Sequence, residues 1–208
     1  MFYFIKTPGW LKKIYPSCVW HINTTEKKVY LTFDDGPHPQ ASPFVLATLD
    51  KYRAKATFFC IGKNVAAYPE VYNQILSAGH AVGNHTFNHL NGWKTTTANY
   101  LEDIEAAKGF VNSDLFRPPY GKISFGQLKS IHAMHPKIKV IMWSVLSADF
   151  DNKITARRCA QHVVNNAMPG AVVVFHDSEK AFEKLRIALP QVLENFTKRG
   201  YIFEKIII

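Results

Sequence analysis

The 208-residue sequence predicts a single α/β domain in which seven short strands alternate with six helices and curl into a barrel. The strands are apolar along their whole length, as expected for parallel strands that are buried on both faces. Polar residues suited to chemistry follow the carboxyl ends of several strands. An open doubly wound sheet is the alternative, but it would set some of these ends far apart, whereas a barrel gathers them at one mouth.

The individual elements follow from apolar runs, helical periodicity and stop signals. Strands are expected at residues 29–33, 56–61, 80–83, 115–116, 139–145, 171–175 and 201–207. Helices are expected at residues 43–52, 69–77, 97–111, 124–134, 155–167 and 179–198. Ser42 is predicted to cap the first of these helices, with Pro43 at its first position. Pro190 is expected to kink or split the last one.

An N-terminal segment, residues 1–28, precedes the domain predicted at residues 29–208. It is expected to pack on the outside of the barrel through its apolar residues, Trp10, Leu11, Ile14, Tyr15 and Trp20. It has neither the apolar core nor the small-residue cleavage site of a secretory signal, and no apolar run approaches the length of a membrane span. The sequence therefore predicts a cytoplasmic protein, with the cell envelope as the alternative if a leader is missing.

Composition limits the classes of partner. The chain is 47% hydrophobic and 13% aromatic, which supports a substantial core and excludes a disordered chain. The net charge of 25 − 16 = +9 suits an anionic partner, such as an anionic membrane surface, an acidic glycan or nucleic acid, but a basic surface that only keeps the protein soluble is the favoured interpretation. No run of five Lys or Arg residues and no nucleic-acid motif is present, so nucleic acid is excluded. Three cysteines without a CxxC pair predict no disulfide framework, and the oligomeric state is not indicated.

Two adjacent carboxylates, Asp34 and Asp35, close the first apolar strand immediately before a Gly-Pro turn. Adjacent strand residues point to opposite faces, so one carboxylate can bind a cation while the other is free to move a proton. The alternative is a strand end with a solvated Asp-Asp-Gly turn.

His85 and His89 are spaced i and i+4, which on a helical turn would place both imidazoles on one face. Imidazole suits zinc, and an oxygen of Asp35 would supply a third ligand while leaving a position open for water. A chance pairing, or two histidines packed in the core, is the alternative interpretation.

Two further motifs follow strands. Residues 117–121 read R-P-P-Y-G, where the prolines fix the backbone so that the Tyr120 N–H suits an oxyanion donor and Arg117 is a candidate partner of Asp34. A rigid loop with a surface arginine is the alternative. His176 ends a buried strand and is a candidate general acid, or else a satisfied core residue.

Taken together, the ordered motifs T-F-D-D-G, H-T-x-x-H, R-P-P-Y and F-H-D resemble those of polysaccharide deacetylases with the NodB homology domain, also called carbohydrate esterase family four. The resemblance spans roughly residues 29–207 and implies a distorted (β/α)7 barrel. It implies a metal-dependent N-deacetylase that releases acetate from an N-acetylated sugar or glycan, with zinc, or else cobalt or another transition metal, as cofactor. It further implies these roles: Asp34 as base, Asp35, His85 and His89 as metal ligands, Arg117 orienting Asp34, the Tyr120 amide as oxyanion donor, and His176 as acid.

One motif departs from the family pattern D-x-x-D-W. The chain has Leu146 at the first carboxylate, which the resemblance assigns to tuning the acid histidine, and keeps Asp149 as an alternative partner of His176. Phe150 and Trp143 are candidates for lining the acetyl pocket, and barrel core is the alternative for Trp143. Two other functions stay open. One is hydrolysis of a non-sugar linear amide. The other is glycan binding without turnover, which is suggested by Leu146 at the position of the family's first carboxylate.

Overall fold

The computed structural model describes residues 3–208, which contain eight strands and eight α-helices. The strands are β1 (Lys28–Asp34), β2 (Ala56–Cys60), β3 (Ala81–Asn84), β4 (Leu115–Phe116), β5 (Lys139–Val140), β6 (Val145–Leu146), β7 (Val172–His176) and β8 (Ile202–Phe203). The helices are α1 (Gly9–Ile14), α2 (Ala41–Lys51), α3 (Gly62–Ala67), α4 (Pro69–Ser77), α5 (Thr97–Lys108), α6 (Phe125–Met134), α7 (Ala156–Asn166) and α8 (Glu179–Lys198). No described helix is both long and apolar enough to cross a bilayer.

The strands form a curled parallel sheet in the order β5-β4-β3-β2-β1-β7-β6, and β8 pairs with the start of β1. Every neighbouring pair runs parallel, so the carboxyl ends of all these strands lie at the same edge. The predicted barrel is thus confirmed in a curled, incompletely closed form. Between its two end strands, β5 and β6, no pairing is found among the described residues.

The N-terminal segment lies against this gap. Val19 bridges Ile141 in parallel, while Lys6 bridges Val145 in the antiparallel sense. Backbone hydrogen bonds from Leu146 to Ile5 and from Thr7 to Ser144, at 2.8 and 3.0 Å, extend the second contact. These bonds satisfy backbone groups that a sheet edge would otherwise leave unpaired.

Several details of the predicted elements are wrong. Residues 139–145 form two strands instead of one, because the chain between them pairs with the N-terminal segment. The first predicted helix begins at Ala41, and Ser42 does not cap it. The Ser42 hydroxyl instead donates a hydrogen bond to the Asp177 carboxylate. Pro190 lies inside α8, which continues as one helix. The short helices α1 and α3 were not predicted as helices.

The apolar core lies on both faces of the sheet. On the outer face, Phe33 stacks between Phe58 and Phe175, with ring centroids 5.1 and 6.1 Å apart, beneath α2, α7 and α8. A second cluster joins β4 and β5 to α5, α6 and the buried Trp20 of the N-terminal segment. Each fully buried phenylalanine contributes about 1.5–3 kcal/mol by leaving water, so the core holds the strand ends in place.

Candidate active site

Asp34 is the last residue of β1, and its carboxylate is buried against the guanidinium of Arg117. Arg117 Nη1 donates to Asp34 Oδ1 at 2.6 Å and to Thr32 Oγ1 at 2.7 Å. The rest of the guanidinium donates to the carbonyls of Ile141 and Met142. Arg117 is fully buried, so this network holds the Asp34 carboxylate in one orientation at the sheet edge.

Asp35 turns the other way and faces two histidines. Its Oδ1 lies 3.6 Å from His85 Nε2 and 3.2 Å from His89 Nε2. One ligand atom from each of the three residues lies within 4.8 Å of the others, a spacing that allows all three to contact one ion. The predicted gathering of Asp35, His85 and His89 is therefore present in the structure.

The backbone that presents these residues is not the predicted helical turn. Residues 85–90 form an irregular loop after β3, and Thr86 and His89 have positive φ angles of 61° and 58°. The buried Asp103 of α5 holds this loop by accepting from the backbone N–H groups of Phe87 and Asn88. Asp103 was missed by the sequence interpretation, although a carboxylate beside the apolar face of a predicted helix could have indicated it.

The second nitrogen of each imidazole is also engaged. His85 Nδ1 donates to the Arg117 carbonyl at 2.8 Å, which leaves Nε2 as the unprotonated nitrogen facing Asp35. Burial lowers the pKa of His85 to about 4. His89 Nδ1 is hydrogen-bonded to the Tyr120 hydroxyl at 3.1 Å. His85 is thus held as the neutral imidazole that a metal ion requires.

Tyr120 follows two prolines and adopts a left-handed backbone, with φ 60° and ψ 7°. Its side chain is 49% exposed beside His89. Among the described residues, its backbone N–H has no hydrogen-bond acceptor. A rigid, unengaged amide beside the Asp35 cluster is a donor available to a bound molecule.

His176 ends β7 and faces the buried Asp149 in the loop after β6. His176 Nδ1 donates to Asp149 Oδ1 at 2.7 Å, and the His176 backbone N–H donates to Asp149 Oδ2 at 2.8 Å. Burial opposes the charged imidazole, but the carboxylate outweighs it and raises the pKa of His176 to about 9. Leu146 lies buried in β6, so the carboxylate beside His176 is the one at position 149.

The chain is similar to known proteins. The polysaccharide deacetylase family model matches residues 21–134. A peptidoglycan-N-acetylglucosamine deacetylase from Bacillus cereus is 35% identical over 189 residues, with 88% of each chain covered. The chain belongs to the polysaccharide deacetylase family. A chitooligosaccharide deacetylase from Azorhizobium caulinodans is 33% identical over 165 residues, covering 75% of this chain and 76% of that protein.

The fold of this polysaccharide deacetylase also agrees with a solved relative. A peptidoglycan N-acetylglucosamine deacetylase, crystallised with 4-naphthalen-1-yl-N-oxidanyl-benzamide, superposes with a TM-score of 0.83 at 27% identity. The match covers 96% of this chain and 95% of the other. The family resemblance stated from the motifs is therefore confirmed.

The two aromatic candidates of this deacetylase contact different residues of the site. Phe150 packs edge-on against His176, with ring centroids 5.3 Å apart. Trp143 is half-buried, and its ring fills the space in which a side chain at Gly121 would otherwise stand. It also lies 5.9 Å from the Arg117 guanidinium.

A further carboxylate, Asp177, lies fully buried behind the mouth and was not predicted. It accepts from the Gly36 backbone N–H at 3.1 Å and from the Ser42 hydroxyl. Burial raises its pKa to about 8. Because Gly36 follows Asp35 directly, Asp177 ties the end of β7 to the turn that carries Asp35. The signal was in the sequence, since Asp177 follows His176 at a buried strand end.

Proposed function

We propose that this polysaccharide deacetylase hydrolyses the acetamido group of an N-acetylated sugar in a glycan, releasing acetate, with a divalent metal held by Asp35, His85 and His89. The supporting observation is the three-residue cluster, whose ligand atoms lie within 4.8 Å of one another, with the buried Asp34 and the partly buried His176 beside it as acid/base candidates. Peptidoglycan and chitooligosaccharides are the substrates named for the relatives. We propose the same class of N-acetylated saccharide for this chain.

The residues present fit a divalent ion such as zinc. Two imidazole nitrogens and one carboxylate oxygen form the three-ligand set of a catalytic zinc site, which keeps a position open. The pKa of Asp35 is lowered below its usual range: burial favours the neutral acid, but the hydrogen bond to His89 and the nearby imidazoles outweigh it. A cation bound here would polarise the acetamide carbonyl and acidify water. Cobalt suits the same donors.

Asp34 is proposed as the general base. Arg117 engages its Oδ1, which directs the other oxygen to the attacking water. Asp34 accepts a proton from that water as the new C–O bond forms. Arg117 acts as the positioning residue, because its guanidinium donates to Asp34, Thr32 and two carbonyls and, being fully buried, does not reach the mouth.

The Tyr120 N–H is proposed to donate to the acetamide oxygen as that oxygen gains negative charge. His176 is proposed as the general acid that protonates the departing amine nitrogen. Its Nδ1 donates to Asp149, so Nε2 is the nitrogen that carries the transferable proton. The raised pKa of about 9 keeps that proton in place at neutral pH. Breakage of the C–N bond then yields acetate and the free amine.

Phe150 and Trp143 are proposed to line the acetyl pocket. Phe150 contacts the proposed acid, and Trp143 contacts the Tyr120–Gly121 turn, so both border the reacting group. Conversion of each to alanine tests this proposal, and a KM for acetylated oligomers that stays unchanged in both variants would contradict it.

The test of this mechanism compares two variants in zinc content and acetate release. Asp34→Asn is expected to lower acetate release by about 10³-fold or more while keeping bound zinc, since it removes the base but no ligand. His89→Ala is expected to lose both. Acetate release near the wild-type rate from Asp34→Asn would show that Asp34 is not the base.

The two alternatives from the sequence are tested by substrate panels. Chitooligosaccharides, peptidoglycan fragments and small linear amides, scored by acetate or amine release, separate a glycan deacetylase from a non-sugar amidase. Tight glycan binding without acetate release, in the presence of added zinc or cobalt, would indicate a binding protein. The location in the cytoplasm, contact with an anionic membrane and the division at residue 28 stay predictions.

A further inference from the structure

Two loops of the mouth, residues 85–95 and 117–125, continue beyond the metal-ligand cluster and are joined to each other there. Gln127, which is almost fully buried, donates to the carbonyls of Gly92 and Thr95 at 2.8 and 3.2 Å. At Gly92, an added Cβ would stand 2.4 Å from the Lys122 carbonyl, so the two backbones are in close contact. The joined loops therefore form one rigid surface beside the site.

Trp93 stands on this surface and is open to solvent. Its side chain is 61% exposed, close to the 56% of Trp10 in the N-terminal segment, whereas Trp20 is buried and Trp143 half-buried. Its indole N–H donates to the Ile123 carbonyl at 3.1 Å, and Lys122 Nζ lies 4.2 Å from the ring centroid. An exposed aromatic ring whose orientation is already fixed loses little conformational entropy when the C–H face of a ring-shaped ligand packs on it.

The surface is also positively charged. Residues 85–95 and 117–125 contain Lys94, Lys122 and Arg117 but no Asp or Glu. Arg117 is buried and paired with Asp34, so the two lysines supply the charge that faces solvent. A positive surface with an exposed indole complements a saccharide that carries a carboxylate.

This surface lies within reach of a glycan held at the active site. Lys122 is two residues from Tyr120, so their Cα atoms are at most about 8 Å apart. The Tyr120 hydroxyl is in turn 3.1 Å from the metal-ligand candidate His89. A glycan that runs from the active site along this loop would therefore pass Lys122, and with it Trp93, whose ring lies under the Lys122 ammonium group.

We propose that Trp93 and Lys122 form a second sugar subsite, in which the indole stacks on a ring neighbouring the acetylated sugar and the ammonium group pairs with a carboxylate on that neighbour. The subsite makes acidic N-acetylated oligosaccharides better substrates than neutral ones of equal length. This inference rests on the proposed function, because it assigns the substrate class of the same site.

The stacking contact is tested with Trp93→Ala and Trp93→Phe. For an N-acetylated oligosaccharide, Trp93→Ala is expected to raise KM about 10-fold with kcat unchanged, as for loss of one aromatic contact. Trp93→Phe keeps a ring and is expected to stay within about 3-fold of wild type. Free N-acetylglucosamine is too short to reach the subsite, so its KM is expected to be unchanged in both. Thermal unfolding of each variant verifies that it folds.

The carboxylate contact is tested with Lys122→Met. KM is expected to rise about 3-fold for a peptidoglycan fragment with free carboxylates, but not for neutral chitotetraose, and the difference is expected to disappear at 1 M NaCl. Lys27→Met is the matched control, since Lys27 also lies over an aromatic ring, that of Tyr201, beside the amino end of β1. It is expected to leave both KM values unchanged.

An unchanged oligosaccharide KM in Trp93→Ala would overturn the subsite. An equal effect of Lys122→Met on acidic and neutral oligosaccharides would overturn its preference for carboxylates.

Equilibrium binding of the same two oligosaccharides is measured in parallel. If wild type releases no acetate from either, the proposed function fails. Weaker binding of both oligosaccharides to Trp93→Ala, and of the acidic one to Lys122→Met, would then still support the subsite; unchanged binding would overturn it.

Discussion

Two histidines at the same barrel mouth, His85 and His176, have opposite protonation behaviour. The pKa of His85 is lowered to about 4 by burial, and its Nδ1 donates to a neutral carbonyl. The pKa of His176 is raised to about 9, because the Asp149 carboxylate facing its Nδ1 outweighs burial. The two histidines thus differ in the hydrogen-bond partner of Nδ1. With a carbonyl as partner, His85 is a neutral imidazole suited to metal binding; with a carboxylate as partner, His176 is a charged imidazole suited to donating a proton.

Removing the neutral histidine is expected to have the largest effect. His85→Ala takes one of two nitrogen ligands from the proposed metal site, so acetate release is expected to fall by about 10³-fold or more together with bound zinc. Elemental analysis and acetate release measure the two quantities. His132→Ala, on α6, is the control. Retention of stoichiometric zinc and turnover by His85→Ala would contradict the assignment of His85 as a ligand.

Removing the carboxylate of the charged histidine is expected to have the next largest effect. Asp149→Asn takes away the interaction that raises the pKa of His176, and acetate release at pH 7 is expected to fall about 10²-fold. A general acid must be protonated, so activity is lost as pH rises through its pKa. The alkaline limb of the pH profile of kcat/KM is therefore expected to move from about pH 9 to about pH 6.5 or below. An unmoved limb in the pH profile of kcat/KM would exclude Asp149 as the partner.

Leu146→Asp tests whether the position that departs from the family pattern limits activity. Asp149 already occupies His176 Nδ1, so a second carboxylate is expected to add no turnover. Leu146 is buried in β6, and an unpaired charge there is expected to lower the free energy of unfolding by about 2 kcal/mol or more. Urea unfolding and acetate release measure both effects. A several-fold gain in acetate release at unchanged stability would show that Leu146 is limiting.

The smallest effect is expected at Tyr3, a residue of the N-terminal segment that contacts the loop beside the charged His176. The Tyr3 hydroxyl donates to Asp151 at 2.6 Å, and its ring packs on Phe150 beside His176. Tyr3→Phe keeps the ring contact, so kcat is expected to change less than about 2-fold. Tyr3→Ala loses both contacts and is expected to lower kcat further. Equal kcat values for wild type and Tyr3→Ala would show that the segment does not support His176.

The sequence predicted much of the site because most of its residues lie at the end of a strand or in the loop that follows it. Asp34 and Asp35 face different partners as predicted, although Asp35 lies beyond β1 with a positive φ of 80° and so does not follow strand alternation. Arg117 reaches Asp34 as predicted. The i, i+4 spacing of His85 and His89 indicated a shared ion, but the helical geometry assumed for it was wrong. Two positive φ angles, held by Asp103, bring the imidazoles together instead. A contact made from a distant helix leaves little trace in local spacing.

By itself, the sequence determined the alternation of strands and helices, the parallel sheet and the family, because periodicity and motif order are properties of neighbouring residues. Only the tertiary structure decided which carboxylate faces His176, how the N-terminal segment pairs along the gap between β5 and β6, and that Asp177 ties β7 to the Asp35 turn. The physical reason is that each of these contacts joins residues distant in the chain. Burial then sets their hydrogen bonds and pKa values.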